Sequence, residues 1–432
     1  MWKGDKYMED LKLSFFKKIR KYIIYTYILL IVDIYFLNKG IKILPSISWF
    51  IVCFFSIFQI PEIIFIELML IAPISHAFQL YNGITTFPIM SSILVLKLLF
   101  RNRSFDKKFI LLYIVLFAFN ISSTLIQYGT MMYTIPFFLY FLMVYLAKKS
   151  LKFSEYLYEM SLKCFIVSVV IVCVGSKLLP VAADFLNNST EFTVRNCGFS
   201  NVWDFGQNIS ISMSIILIAL KRKRIKKTMG MILLCFLSFF LIETGLYTAL
   251  IGITVTIFFY PFISEKRQKN RNKNFILSFL LIFLFLLIGY FIIFPRMFAL
   301  RSQISNNGRF DLWLQYIDIF FKTPRITLFG IGADSISAFA AINGIRSTHN
   351  VIIEKLIEFG IIGVVFLVIE IFNIFKGISM LPTKNHKSMY IFSYLSMGMF
   401  QGISGAETIF LFLILACWQK KSNKFYEVKN NV

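Results

Sequence analysis

The chain is dominated by apolar runs of roughly 16–25 residues, one after another, set off by short basic stretches. A helix rising about 1.5 Å per residue needs about 20 apolar residues to cross a hydrocarbon core of roughly 30 Å, and a slightly shorter run is completed when flanking side chains snorkel. Many segments meet that test, and 58% of the 432 residues are hydrophobic, 51 of them Phe. The expected fold is all-α, a polytopic helical membrane protein.

Candidate spans fall near 22–37, 44–60, 62–79, 84–100, 109–127, 131–147, 164–179, 206–220, 228–243, 246–263, 275–294, 352–375, 389–404 and 406–418. That is about fourteen, or about twelve if a pair among the first four is not used. The basic clusters beside the span ends, around Lys17, Arg101, Lys148, Lys221 to Lys227, Lys266 to Lys273 and Lys420, all fall on one side in this count. Because positive charge stays on the cytoplasmic side, both termini are expected there. The same count sends a smaller loop, 180–205, and a large loop, 296–350, to the outside. The first span follows about twenty charged and polar residues with no small-residue cleavage site, so it is expected to be retained. With no repeat or low-complexity tract, 1–432 reads as a single membrane domain.

The net charge of +23 does not point to nucleic acid, because the basic residues are dispersed as clusters on short inner loops, where they anchor topology. The six cysteines show no CxxC or Cys/His spacing, which supports neither a disulfide nor a metal site.

The large outer loop breaks the charge rule, holding Arg296, Arg301, Arg309, Arg325 and Arg346 on the side where Lys and Arg are normally depleted. A bound anion explains such a cluster. From Arg309 to Lys322 the residues Phe310, Trp313, Leu314, Ile317, Phe320 and Phe321 recur at spacings of three and four. This predicts an amphipathic helix at the outer interface, ended by Pro324, with Trp313 and Tyr316 near headgroup depth. It would either wall a lateral entrance for a lipid-borne substrate or only cover the bundle. Gly330-Ile331-Gly332 follows, a place for close approach to a ligand or for a simple turn. Ser347-Thr348-His349-Asn350 then stands at the outer mouth of a span. An imidazole there can accept a proton from a sugar hydroxyl, or can simply hydrogen-bond a loop carbonyl. The smaller loop adds Arg195, with Gly198 and Gly206 allowing turns. Guanidinium forks suit the oxygens of a diphosphate and would stabilise the charge that builds on it as it leaves.

The ordered set Arg195-Gly198-Phe199, Gly308-Arg309-Trp313, Pro324, Gly330-Gly332, His349-Asn350 and Glu358-Gly360-Gly363 resembles the O-antigen polymerase and O-antigen ligase superfamily over roughly 195–375. The resemblance implies a multi-pass glycosyltransferase of the bacterial cytoplasmic membrane. Such an enzyme moves a sugar chain from an undecaprenyl diphosphate carrier to an acceptor at the outer face, without nucleotide sugar, metal or other cofactor. It places diphosphate binding on Arg195 and Arg309, with Arg301 and Arg346 as additions, and acceptor activation on His349. Asn350 and Glu354 would support that site from behind. Many relatives carry a Ser-Arg pair in the next outer segment, whereas 241–252 reads LIETGLYTALIG here, with Glu243 as a carboxylate that either orients an arginine or faces water.

The expected reaction is an inverting transfer in which His349 deprotonates the acceptor hydroxyl and the diphosphate leaves toward the arginines. With a lipid-linked repeat unit as acceptor, the chain is a polysaccharide polymerase, working with a flippase and a chain-length regulator. With lipid A core or protein as acceptor, it is a ligase or an O-oligosaccharyltransferase. A non-enzymatic lipid-linked oligosaccharide flippase is the rival, but Asp33, Glu67, Glu243, Glu354, Glu358, Glu370 and Glu407 form no repeated mid-span pattern. Glu354 and Glu358 share a helix face, either as the floor of the site or as partners of Lys355 or an arginine. His76 is expected to be structural, and His386, in the inner loop, solvated.

Overall fold

A computed structural model of the chain describes residues 21–36, 39, 41, 43–77, 79–81, 84–101, 106–128, 134–151, 154–178, 202–262, 271–288, 309–345, 348–379, 385–401 and 406–417. The described residues are helical apart from their connections and one short antiparallel pair, β1 (Gln79–Tyr81) with β2 (Ile84–Thr85). The first part of the bundle comprises α1 (21–36), α2 (Ile43–Ser56), α3 (Pro61–Ile71), α4 (Thr86–Arg101), α5 (Lys107–Tyr128), α6 (Thr134–Ser150) and α7 (Glu155–Leu178). The second comprises α8 (Val202–Lys221), α9 (Lys227–Thr244), α10 (Tyr247–Phe259) and α11 (Arg271–Ile288). Three short helices follow, α12 (Arg309–Lys322), α13 (Pro324–Phe329) and α14 (Ile336–Ile342), and then α15 (Val351–Phe375), α16 (Ser388–Gln401) and α17 (Ala406–Cys417).

Four helices, Lys107–Tyr128, Glu155–Leu178, Trp203–Lys221 and Lys227–Thr244, are long and apolar enough by themselves to cross a membrane. Other expected spans coincide with shorter or interrupted helices. The run 62–79 is α3 followed by a 3₁₀ turn, Ala72–Ala77, and the start of the strand pair. The run 352–375 is broken at Gly360, whose φ of 60° and ψ of −179° are not helical.

Small polar side chains set how closely the helices approach. Around Gly252 on α10, an added Cβ would stand 2.8 Å from both Ser210 Oγ of α8 and Ser393 Oγ of α16. Ser210 donates to the Ala249 carbonyl at 2.8 Å, Ser393 to the Gly252 carbonyl at 3.0 Å, and Ser214 lies 2.8 Å from Thr256 Oγ1. Such residues hold helices together where no hydrophobic force distinguishes protein from lipid. Gly206, expected at a turn, belongs to the same logic: it lies inside α8, where a Cβ would meet Leu246 Cδ2 at 2.5 Å.

The segment 309–345 builds a small core from Tyr316, Phe320, Ile326, Ile331, Ile336 and Phe339, closed by Ile357 of α15. The expected helix over 309–322 is present, and its exposed stripe carries Leu314, Ile317 and Phe321. Tyr316, however, is fully buried rather than placed at an interface, because it fills that core.

At the opposite end of the bundle the basic segments converge. Lys148 donates to the carbonyls of Ile374 and Lys376, and Arg224 pairs with Glu159 at 2.9 Å and Glu155 at 3.4 Å. His386 is not solvated as expected: its Nε2 lies 3.0 Å from Arg222 Nη1. Burial, reinforced by the cations of Arg222, Lys387 and Arg224, lowers its pKa to about 3, so the imidazole stays neutral and accepts the guanidinium's hydrogen bond.

Candidate functional site

The N-terminal end of α15 is built around one turn, Thr348-His349-Asn350. Asn350 is the N-cap of α15, with extended backbone, and its Oδ1 accepts from the Ile352 and Ile353 amides at 3.0 and 3.2 Å. Two donors that a helix start would leave unsatisfied are thereby bonded. Thr348 is fully buried; its hydroxyl donates to Glu354 Oε1 at 2.9 Å, and its carbonyl accepts from the indole N–H of Trp313 at 2.8 Å. Between these two fixed neighbours His349 takes φ of 50°, the left-handed region that few non-glycine residues occupy. The half-buried imidazole lies against Trp203, ring centroids 5.4 Å apart and tilted by 41°. A residue held there by capping, by two side-chain bonds and by a ring contact is a fixed feature of the fold.

Beneath the turn, Gly330-Ile331-Gly332 approaches another stretch of backbone. The break at Gly360 frees carbonyls of α15, and the Ile331 and Gly332 amides donate to Ile357 O and Glu358 O at 3.0 and 2.9 Å. Gly330 and Gly360 face each other, and a Cβ on Gly360 would stand 2.6 Å from Gly330 N and from Leu328 O. Helices α5 and α6 close the other side: the Ala333 amide donates to Asn120 Oδ1 at 3.1 Å, and Thr134 donates to the Ala333 carbonyl at 3.3 Å. Each of these irregular backbone groups is thus bonded within the protein.

The acidic pair divides. Glu354 is buried and takes the Thr348 hydroxyl, which ties it to the His349 turn. Glu358 pairs with Lys355 at 2.5 Å and accepts the Ile336 amide at 3.3 Å, so it secures the packing of α14 on α15. Arg325 reaches the Ser123 carbonyl of α5 at 3.5 Å, a structural tie. Glu243 pairs with Lys177 at 2.8 Å.

Of the residues singled out from sequence, His349, Asn350 and Glu354 are thus brought together. Arg309 opens α12 one turn before Trp313. Its side chain, and Arg195, Arg301 and Arg346 altogether, lie outside the described residues. Trp203, Thr348 and the bonding of Trp313 were not anticipated. The sequence held only a weak signal for the first, a Trp at the start of a span next to an outer loop.

No curated protein and no solved structure matches the chain. Residues 230–368 match the family model described as O-antigen ligase, so the part of the chain that holds His349 is similar to the superfamily its ordered motif resembles, one of bacterial membrane enzymes with ligase- or polymerase-like function.

Proposed function

We propose that the protein is a polysaccharide polymerase that joins undecaprenyl-diphosphate-linked repeat units at the outer face of the bacterial cytoplasmic membrane. The observation that carries this reading is the fixed, left-handed His349 at the mouth of α15, inside the matched stretch 230–368. In the reaction, the imidazole takes the proton of the acceptor sugar hydroxyl. The hydroxyl oxygen forms the new bond to the donor's anomeric carbon, and the electron pair of the breaking carbon–oxygen bond goes to the departing diphosphate. Arg195, Arg301, Arg309 and Arg346 are assigned to that diphosphate. General-base catalysis of this kind contributes about 10²–10⁴ in rate, and guanidiniums aimed at the charge developing on the leaving group add to it.

Asn350 and Glu354 serve by fixing the turn, Asn350 through the cap and Glu354 through Thr348. The spans beyond the four long helices, the cytoplasmic termini, and cooperation with a flippase and a chain-length regulator complete the proposal. The description of the family model favours a second reading, a ligase that moves finished polymer to its final acceptor.

Surface polysaccharide from a deletion strain carrying His349→Ala, resolved by size and compared at equal membrane levels with wild type, tests both. Single repeat units are expected from a polymerase, and long unattached chains from a ligase. Polymer of normal length and attachment would remove His349 from the chemistry and bring a flippase forward.

A further inference from the structure

We propose that Trp203 is the positioning residue for His349, holding the imidazole in the orientation that receives the acceptor's proton and stabilising it once protonated. The inference rests on the transferase reading above. The backbone of His349 is fixed from its own side by the Asn350 cap and by Thr348, and its ring is met from another helix. The indole of Trp203 lies against the imidazole, at 5.4 Å between centroids. That separation lies within the roughly 6 Å over which an aromatic face attracts a cation. Proton uptake from the acceptor would turn His349 into such a cation beside the indole.

Trp203 is itself well anchored. It sits at the outer end of α8, the helix locked to α10 and α16 through Ser210, Gly252 and Ser393. The indole is thus carried by a rigid element, whereas His349 lies on an irregular turn. Two elements far apart in sequence, α8 and the start of α15, meet through this pair of rings, and a small shift between them would displace the proton acceptor.

Two measurements test the assignment. The first is intrinsic fluorescence of the purified protein between pH 5 and 8, taken as the difference between wild type and Trp203→Phe. Protonated imidazole quenches a neighbouring indole, so the difference is expected to titrate in wild type and to lose its pH dependence in His349→Gln. The second is transfer activity, with lipid-linked oligosaccharide extracted from the deletion strain as donor. Trp203→Leu is expected to lower turnover on the order of 10- to 100-fold, with the apparent KM for donor within about two-fold. Loss of the favourable contact with the cation is expected to move the acid limb of the pH–rate profile down by roughly half a unit. Trp203→Phe should restore most of the turnover. A Trp203→Leu protein that merely packed poorly would lose activity without moving that limb.

Wild-type turnover and pH profile in Trp203→Leu, with His349→Gln inactive, would overturn this assignment alone. An active His349→Gln protein would remove His349 from the chemistry and this assignment with it, whereas absence of transfer by the wild-type protein would overturn the transferase reading itself. A fluorescence difference with no pH dependence in wild type would show that the rings do not meet in solution.

Discussion

His349 and Gly360 both take positive φ next to a regular helix or inside one, at 50° and 60°, and both are held there by groups outside their own segments. Gly360, at φ 60° and ψ −179°, occupies a region essentially restricted to glycine, and Gly330 stands opposite at φ 71° and ψ −171°. Gly360→Ala is expected to cost at least about 1–3 kcal/mol from strain alone, before the clash with Leu328 O, and thermal unfolding in detergent reads it as an earlier melt. An unchanged melting temperature would show that the break does not need glycine. Lys387, at the other end of the bundle, is buried beside the Tyr158 ring at 4.7 Å. Burial, aided by Arg222 and opposed by Glu155, lowers its ammonium pKa from 10.5 to about 7. Between those values the unfolded chain holds a proton that the folded chain has released, so stability rises with pH from about 7 toward 10.5, and below about 7 the full cost of the buried charge is present. Arg222 and Glu155 are the charged groups that act on Lys387, and the adjacent His386 is neutral throughout that window. Lys387→Met is expected to flatten the slope of melting temperature between pH 7 and 9 and to raise the melting temperature at its lower end. A slope equal to wild type would place the titration elsewhere.

At the scale of elements, α12 and α15 show how far periodicity reaches. Spacing alone located the helix over 309–322, yet apolar positions on one broad face do not reveal which of them meet protein and which meet lipid. The structure divides them, with Tyr316 and Phe320 in the small core and Leu314 and Phe321 exposed. The run 352–375 reads as one uninterrupted span because hydropathy has no term for a backbone hydrogen bond donated from a distant segment. Its break at Gly360 follows from the amides of Ile331 and Gly332. The cap at the start of α15 was missed although its signal is local: Asn before an apolar run is a capping residue, and the structure shows the cap made. Asn350→Ala is expected to cost about 0.5–2 kcal/mol and to reduce transfer through the loosened turn, while Asn350→Asp retains the cap. Circular dichroism melts together with transfer activity check this, and equal loss in both variants would mean that the amide, not the cap, is what matters.

Over the whole molecule, the expected topology separates His349 from the basic segments, and the structure puts Lys148, Arg222 and Lys387 at the end of the bundle opposite the His349 turn. Single cysteines placed in a cysteine-free background at Ser305 and Ser189 are expected to react with a membrane-impermeant maleimide in intact cells, and one at Lys223 only after permeabilisation. Labelling at Lys223 in intact cells would invert the orientation. The sequence by itself determined the helical class of fold and the helix over 309–322, because transfer of apolar side chains from water and the spacing of apolar positions are properties of a segment and its immediate neighbours. Only the tertiary structure decided that Gly330 and Gly360 exist for each other, that Glu358 belongs to Lys355 while Glu354 belongs to the His349 turn, and that Trp203 stands against the imidazole. Each of these joins groups far apart or of equal local promise, and packing in three dimensions is what selects among them.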